Sequence, residues 1–434
     1  MALKTTVKLI IFFVIFSFSF YTSNTQQNTP TELPTCMAGI KLDDYRVYLE
    51  THPPLDRLYK WGDEGFFLVT AEDIERIKKS GIKITRQKNL HTSIPALDRR
   101  KGDVNGLYHN YRETEALLMY LETRFPGIVD VFSIGKSIEG REIYVIKISD
   151  NVQVDEEEPN IFMVGCHHAR EWISVEVPLL FARYMVEHYG DNPEVQRAVN
   201  GSQVYILPIL NPDGLEFTIH VYRWWRKNRR YNGDLSWGID LNRNYGYQWG
   251  YDDSGSSPNP AGNTYRGPSP FSEPESNALR QFYLAHPPSG TLSYHNYSQN
   301  ISYPWGFANL ATPDEAEMNQ IAQEMSQRIF QVNGSYYAYG RTPELLYVTN
   351  GDHDDWVYGT FAVPAFTYEL PPVDYLHGGF INSEDEIDPI FSENLPAMLY
   401  FVNYFINDNG EGILPRRHEG TKIHQERNFL YKKP

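Results

Sequence analysis

Two apolar runs, Ile161–Cys166 and Val204–Leu210, stand on either side of a helix-patterned stretch at Val175–Tyr189. A strand with apolar side chains on both faces must be covered on both faces. The pattern therefore limits the chain to an α/β architecture with a sheet buried between helices. Further helices are expected at Thr114–Arg124, Glu273–Ala285, Asp314–Val332 and Glu393–Phe405. Strands are expected at Ser133–Gly135 and Glu142–Ser149, around the turn Glu139-Gly140, and a turn at Asn211-Pro212-Asp213-Gly214. No internal repeat is found.

A smaller α/β unit precedes this region. Strands are read at Tyr45–Leu49, Gly65–Val69 and Gly81–Thr85, with a helix at Ala71–Lys79. The linker after it ends in Asp98-Arg99-Arg100-Lys101-Gly102-Asp103, which reads as a proteolytic processing site or as an ordinary charged linker. The N-terminus has Lys4 and Lys8, then an apolar Leu9–Phe20 and a polar Thr22–Gln27. This core is too short to span a bilayer comfortably, so it reads as a signal peptide of a secreted, extracellular protein. The division expected is 1–24 signal peptide, 36–100 propeptide-like domain, 104–410 main domain and 411–434 polar tail.

Asp and Glu total 55 against 39 Lys and Arg, a net charge of −16. Phosphate contacts need basic surface, so nucleic acid is not an expected partner, and nor is a membrane. Acidity instead favours cationic substrates. Of the two cysteines, Cys36 lies far outside the main domain and Cys166 reads as an inert buried thiol. Among the Asn-x-Ser sequons, Asn200 and Asn333 read as glycan sites, whereas Asn296 and Asn300 fall in a segment assigned to the active site.

The strand at Ile161–Cys166 ends in His167-His168-Ala169-Arg170-Glu171-Trp172. Ligands of open α/β sheets bind at the C-terminal ends of strands. A His and a Glu three or four apart at a helix start share one face and can share a metal, so either His167 or His168 can pair with Glu171. A chain with almost no Cys suits an open His/Glu site better than a closed structural one. His295 ends another apolar run and is a candidate third ligand. The stretches Trp224–Arg230 and Asp240–Tyr245 interleave Arg, Asn and aromatic residues, which suits carboxylate recognition. Glu369 lies inside the apolar strand Phe366–Leu370, where a carboxylate is costly unless paired or functional. It is a candidate general base.

In their order, His168–Trp172, Asn211–Gly214, Trp225–Arg229, Asp240–Asn244, His295–Ser298, Leu346-Tyr347 and Phe366–Leu370 resemble the motifs of the zinc metallocarboxypeptidases related to the pancreatic A and B enzymes and to bacterial carboxypeptidase T. The likeness runs from about Leu107 to Phe405. It implies a mixed, largely parallel sheet with helices on both faces, preceded by a small ferredoxin-like prosegment. It implies one zinc per chain held by His168, Glu171 and His295, with Asp240 orienting the first zinc histidine. It gives Glu369 as general base and Arg229 as the oxyanion cation. It also implies that Arg243, Asn242 and Tyr347 would grip the substrate's terminal carboxylate, with Arg170 and Arg226 lining the approach. The expected partners are peptide C-termini and, because a segment faintly resembling the family's propeptide, though shorter, is followed by Arg99-Arg100-Lys101, an activating protease.

The resemblance also places a specificity residue seven positions after Tyr347, at Asp354. An acid there implies Lys or Arg preference, and Asp352 nearby and the chain's acidity push the same way; an Asp354 that is solvated or paired with His353 gives mixed specificity. Gly306 stands where B-type enzymes often have Ser. Ser236 replaces one half of a disulfide found in the digestive animal enzymes, and Pro371-Pro372 follow Leu370 where those enzymes commonly have Arg-Asp. The alternatives are a non-catalytic zinc or peptide-binding homologue and an A-type enzyme selecting aromatic or aliphatic ends. An endopeptidase would not need the carboxylate grip, and its usual His-Glu-x-x-His is absent.

Overall fold

The computed structural model describes residues 36–49, 55–61, 63–69, 71–89 and 105–406. The expected signal peptide, the Asp98–Asp103 cluster and the polar tail lie outside the described residues.

The small unit runs β1 (Cys36–Lys41), α1 (Leu42–Leu49), β2 (Asp56–Trp61), β3 (Glu64–Val69), α2 (Ala71–Lys79) and β4 (Ile84–Asn89). Its sheet order is β2-β3-β1-β4 with every neighbouring pair antiparallel, the ferredoxin-like arrangement. The segment read as a strand at Tyr45–Leu49 is helical. Asp43 and Asp44 favour the first turn of α1, and burial follows a three-residue spacing: Tyr45 and Tyr48 are buried while Val47 is 60% exposed. The third strand lies later than read, at Ile84–Asn89. It is an edge strand, where Arg86, Lys88 and their polar neighbours are tolerated and hide the apolar pattern.

The large unit continues with α3 (Tyr111–Arg124), β5 (Val129–Lys136), β6 (Glu142–Ile148), β7 (Asn160–Val164), α4 (Ile173–Glu187), α5 (Pro193–Asn200), β8 (Gln203–Leu207) and α6 (Pro212–His220). It then adds α7 (Pro274–Ala285), β9 (Gly290–Asn296), β10 (Asn300–Tyr303), α8 (Glu315–Asn333), β11 (Ala338–Arg341), α9 (Thr342–Leu345), α10 (His353–Phe361), β12 (Ala365–Leu370) and α11 (Ile387–Tyr404). The sheet order is β11-β10-β12-β9-β7-β8-β6-β5. The four central strands β12, β9, β7 and β8 are parallel, and antiparallel strands flank them. Both faces are covered, as the apolar runs require. Ile161 and Met163 of β7 pack with Phe181, Met325 and Phe401 of α4, α8 and α11. Phe162 and Val164 turn the other way, to Tyr283 of α7 and Trp356 of α10.

Asn211–Gly214 is a helix start rather than a free turn: the Asn211 side chain accepts from Gly214 N–H and Pro212 opens α6. Helix α11 begins at Ile387, before the expected Glu393, because Pro389 falls in its first turn, where proline is tolerated. Cys166 is a free, buried thiol. Asn200 and Asn333 are exposed, whereas Asn296 and Asn300 are buried. No helix among the described residues is long and apolar enough to cross a membrane.

Candidate metal centre

β7 carries the chain to Gly165, and Cys166, at a φ of 54°, turns it out of the sheet. His168 and Glu171 then close a tight turn, with Glu171 N–H donating to His168 C=O at 3.2 Å, ahead of α4. The expected helix start is thus a turn. Ala169 N–H donates to the Arg226 carbonyl, which pins the turn to the Trp224–Arg230 loop. His295 sits near the end of β9. Glu369 lies opposite it in register on the parallel neighbour β12.

Three donor atoms converge. His168 Nδ1 is 2.9 Å from Glu171 Oε1, and His295 Nδ1 is 3.0 Å from both His168 Nδ1 and Glu171 Oε2. His168 is therefore the partner of Glu171, and His167 lies behind it. Two imidazole nitrogens facing each other beside a carboxylate make a poor closed hydrogen-bond set. They make a good metal set: bonds of about 2.1 Å in a tetrahedron put donors about 3.4 Å apart. All three residues are buried, and among the described residues no fourth His, Cys, Asp or Glu completes the group. The set fits zinc with an open position.

The surroundings fix the ligands. Asp240 Oδ1 lies 3.2 Å from His168 Nε2, as expected of an orienting carboxylate. Arg226 grips Asp240 Oδ2 through Nε (3.0 Å) and Nη2 (2.9 Å), and its Nη1 lies 3.8 Å from Glu171 Oε1. Burial opposes ionisation of Asp240, but Arg226 and then His168 outweigh it and hold the carboxyl well below the usual range. Glu171 is likewise held low against burial by the His168 ring. Glu369 goes the other way. Burial and then the Glu171 charge push it well above the ordinary range, against the pull of Arg226 and Arg243.

The other expected residues divide. Asn242 reaches the cluster, with Nδ2 3.4 Å from His295 Nε2. Arg243 is buried, donates through Nε to Gly255 C=O, and faces the Tyr347 ring at 5.9 Å. Arg170 stacks on Phe380 at 3.9 Å. Arg229 is not at the cluster in any recorded contact. Its guanidinium lies over Phe217 at 3.6 Å, with Trp225 and Trp237 also in range, and its buried Nε and Nη1 have no hydrogen-bond partner. Of the two arginines, it is Arg226 that touches the metal donors, because Asp240 draws it inward.

Asp354 is already partnered: it accepts from Thr367 Oγ1 at 2.6 Å and meets His353 Nδ1 at 2.8 Å. Its neighbour Asp352 caps α10, accepting from Asp355 N–H, and also accepts from Thr349 Oγ1. A Cβ on Gly306 would sit 2.7 Å from Asp352 Oδ2, so the glycine lets its backbone lie close against that buried carboxylate. Asp355 accepts from the N–H groups of Gly306 and Phe307. Burial and then Asp354 push Asp352 up to about 6; burial and then Asp352 push Asp355 well above the ordinary range. Sequence reasoning passed over Asp352 as a cap and Ser293 and His167 as contacts behind His295. The signal for Asp352 was Asp before a short apolar-periodic run, a cap signature.

The Zinc carboxypeptidase family profile matches residues 114–397. Carboxypeptidase B of Homo sapiens is 32% identical over 352 residues, covering 78% of this chain and 83% of that protein. Carboxypeptidase A1 of Rattus norvegicus is 30% identical, covering 69% and 70%. The crystal structure of carboxypeptidase A from Helicoverpa armigera superposes with a TM-score of 0.71 at 27% identity, covering 86% of this chain and 98% of that one. The match spans the turn that carries His168 and Glu171 and both strands that carry His295 and Glu369, and on that ground the chain belongs to the zinc carboxypeptidase family.

Proposed function

We propose that this chain is a secreted metallocarboxypeptidase, made as a zymogen, that hydrolyses the last peptide bond of substrates with a free C-terminus and prefers Lys or Arg there. The observation that carries the reading is the register of Glu369 with His295, which sets a proton-binding carboxylate beside the His168–Glu171–His295 donors. Zinc held by those donors supplies a Lewis acid for the scissile carbonyl and acidifies water.

The chain's own residues supply the rest. Glu369 takes a proton as water adds to the carbonyl carbon. It returns the proton to the amine nitrogen as the C–N bond breaks. We assign stabilisation of the developing oxyanion to Arg226 rather than Arg229, since Arg226 reaches the donor group and Arg229 rests on aromatic rings. Arg243, with Asn242 and Tyr347, is the grip for the substrate carboxylate. Its fixed Nε bond to Gly255 preorganises the guanidinium.

Asp354 is paired with His353, the arrangement expected of mixed specificity, so basic preference rests on its neighbour Asp352, which among the described residues has only Thr349 and backbone partners. Buried carboxylates without a matching cation gain a charge-assisted partner when a Lys or Arg side chain enters. The ferredoxin-like unit within 36–100 is read as the prosegment and Arg99–Lys101 as its release point, cut by an activating protease. The test is a panel of peptides differing only in the last residue. Faster removal of Arg and Lys than of Phe and Leu is expected. Faster removal of Phe would leave the enzyme class intact and overturn the pocket assignment.

A further inference from the structure

The two zinc-set histidines are backed differently. His168 has the Asp240 carboxylate behind its Nε2. Among the described residues, none of the carboxylates backs His295 Nε2 in the same way. Its Nε2 lies 3.0 Å from Ser293 Oγ, two residues earlier on β9. Ser293 Oγ is in turn 3.3 Å from His167 Nδ1, and His167 Nε2 is 2.8 Å from Tyr245 Oη. All four side chains are buried, and Ser293, His167 and Tyr245 have no measurable exposure. The Asn242 amide approaches the same Nε2 at 3.4 Å, but its Oδ1 is taken by His353 N–H, so the group it turns to His295 is an NH2.

We propose that Ser293, backed by His167 and Tyr245, is a positioning relay that fixes the ring of His295 and thereby sets how tightly the chain holds its metal. The inference rests on the reading of His168, Glu171 and His295 as the metal donors. With Nδ1 of His295 turned to those donors, its proton sits on Nε2. Asn242 presents N–H to that N–H and offers no acceptor. Ser293 Oγ does: it accepts from His295 Nε2–H and donates its own hydrogen to His167 Nδ1. His167 Nε2–H then donates to Tyr245 Oη. A hydroxyl with a fixed acceptor of its own cannot rotate away, so the ring is held in one orientation. Burial makes the arrangement consequential, since no water is available to replace a lost partner.

The test is zinc affinity, measured by competition with a chelator on the purified full chain, alongside thermal unfolding of the zinc-free protein. Ser293→Ala is expected to weaken zinc binding about 10–100-fold, the usual cost of losing a partner behind a metal ligand. Tyr245→Phe, which removes one distal hydroxyl and keeps the ring, is expected to weaken it several-fold. Thr291→Val is the control. Thr291 is buried on the same strand and its Oγ1 has no hydrogen-bond partner, so wild-type zinc affinity is expected. Wild-type affinity in both Ser293→Ala and Tyr245→Phe overturns the relay, whatever happens to unfolding. So does an equal loss in Thr291→Val, which would mark a general packing effect. A wild-type chain that binds no zinc would instead overturn the metal reading itself.

Discussion

The metal cluster and the acidic pocket at the start of α10 both bury carboxylates, but they treat charge in opposite ways. Around the metal donors the chain supplies its own compensation. Arg226 grips Asp240 bidentately, and Asp240 and Glu171 are held below their usual range against burial. In that acidic cluster Asp352, Asp354 and Asp355 have hydroxyl, backbone and His353 partners; among the described residues none forms an ion pair with Arg or Lys, although the Arg243 charge draws Asp352 downward. Asp352 and Asp355 are pushed upward. A site balanced within the chain is built to hold its parts in place. A cluster left short of positive charge is what the Lys or Arg end of the proposed substrates would neutralise.

The largest expected effect lies on the balanced side. Glu369→Gln should keep zinc, because Glu369 is not among the donors, and should lose about 10³-fold in kcat, within the range for a positioned general base. Zinc content and kcat measured on the same preparation check this. Loss of zinc with activity would mean Glu369 holds the metal, and near-normal turnover would remove it from the mechanism.

Neutralising one carboxylate in each region should then give opposite results. Asp240→Asn strips Arg226 of its buried partner and should cost about 3 kcal/mol of stability. Asp352→Asn keeps a competent helix cap and removes an uncompensated charge, so it should raise stability by about 1 kcal/mol at pH 7. The sign follows from linkage. A carboxyl whose folded pKa is raised to about 6 favours the folded state below its unfolded pKa, and that contribution is lost as pH climbs through about 6. The same Asp352→Asn change should lower kcat/KM on Arg-ended peptides roughly 100-fold, about 3 kcal/mol, and leave Leu-ended peptides nearly unchanged. Denaturant unfolding and peptide kinetics read both. Equal destabilisation by the two variants would erase the contrast.

The smallest effect is in pH. Between pH 5 and 7 Asp352 passes from mostly protonated to mostly ionised. The ratio of kcat/KM for Arg-ended over Leu-ended peptides should therefore rise about tenfold over that window. Taking a ratio cancels the titration of Glu369 and the metal donors. A flat ratio in the wild type would place the discriminating charge elsewhere.

The contrast also marks what was legible from residues alone. The His167-His168 pair with Glu171, and His295, stand at the ends of apolar runs that meet at the sheet's C-terminal edge, and Glu369 stands out as a carboxylate inside an apolar strand; spacing leaves open which histidine pairs with Glu171, and only the family resemblance decides it. The α/β class was legible for the same reason, since Ile161–Val164 must be covered twice. Arg226 and Arg229 were not separable, because they lie in a loop with no period. Which one turns inward is decided by Asp240, 14 positions further along the chain. Asp352 reads only as an acid beside Asp354, and its role as a cap stays hidden until α10 is seen to begin at His353. Tyr45–Leu49 misread because its β-favouring residues conceal a helical burial spacing, which two buried tyrosines three apart reveal.

The most direct test of the account is mass spectrometry of one Arg-ended peptide, presented as free acid and as amide, with and without a zinc chelator. The account predicts loss of a single C-terminal Arg from the free acid, an intact amide and no product with chelator. Arg243 has nothing to grip on the amide, and the donor set has nothing to offer once stripped. Equal cleavage of acid and amide, or a cut within the peptide, would contradict it.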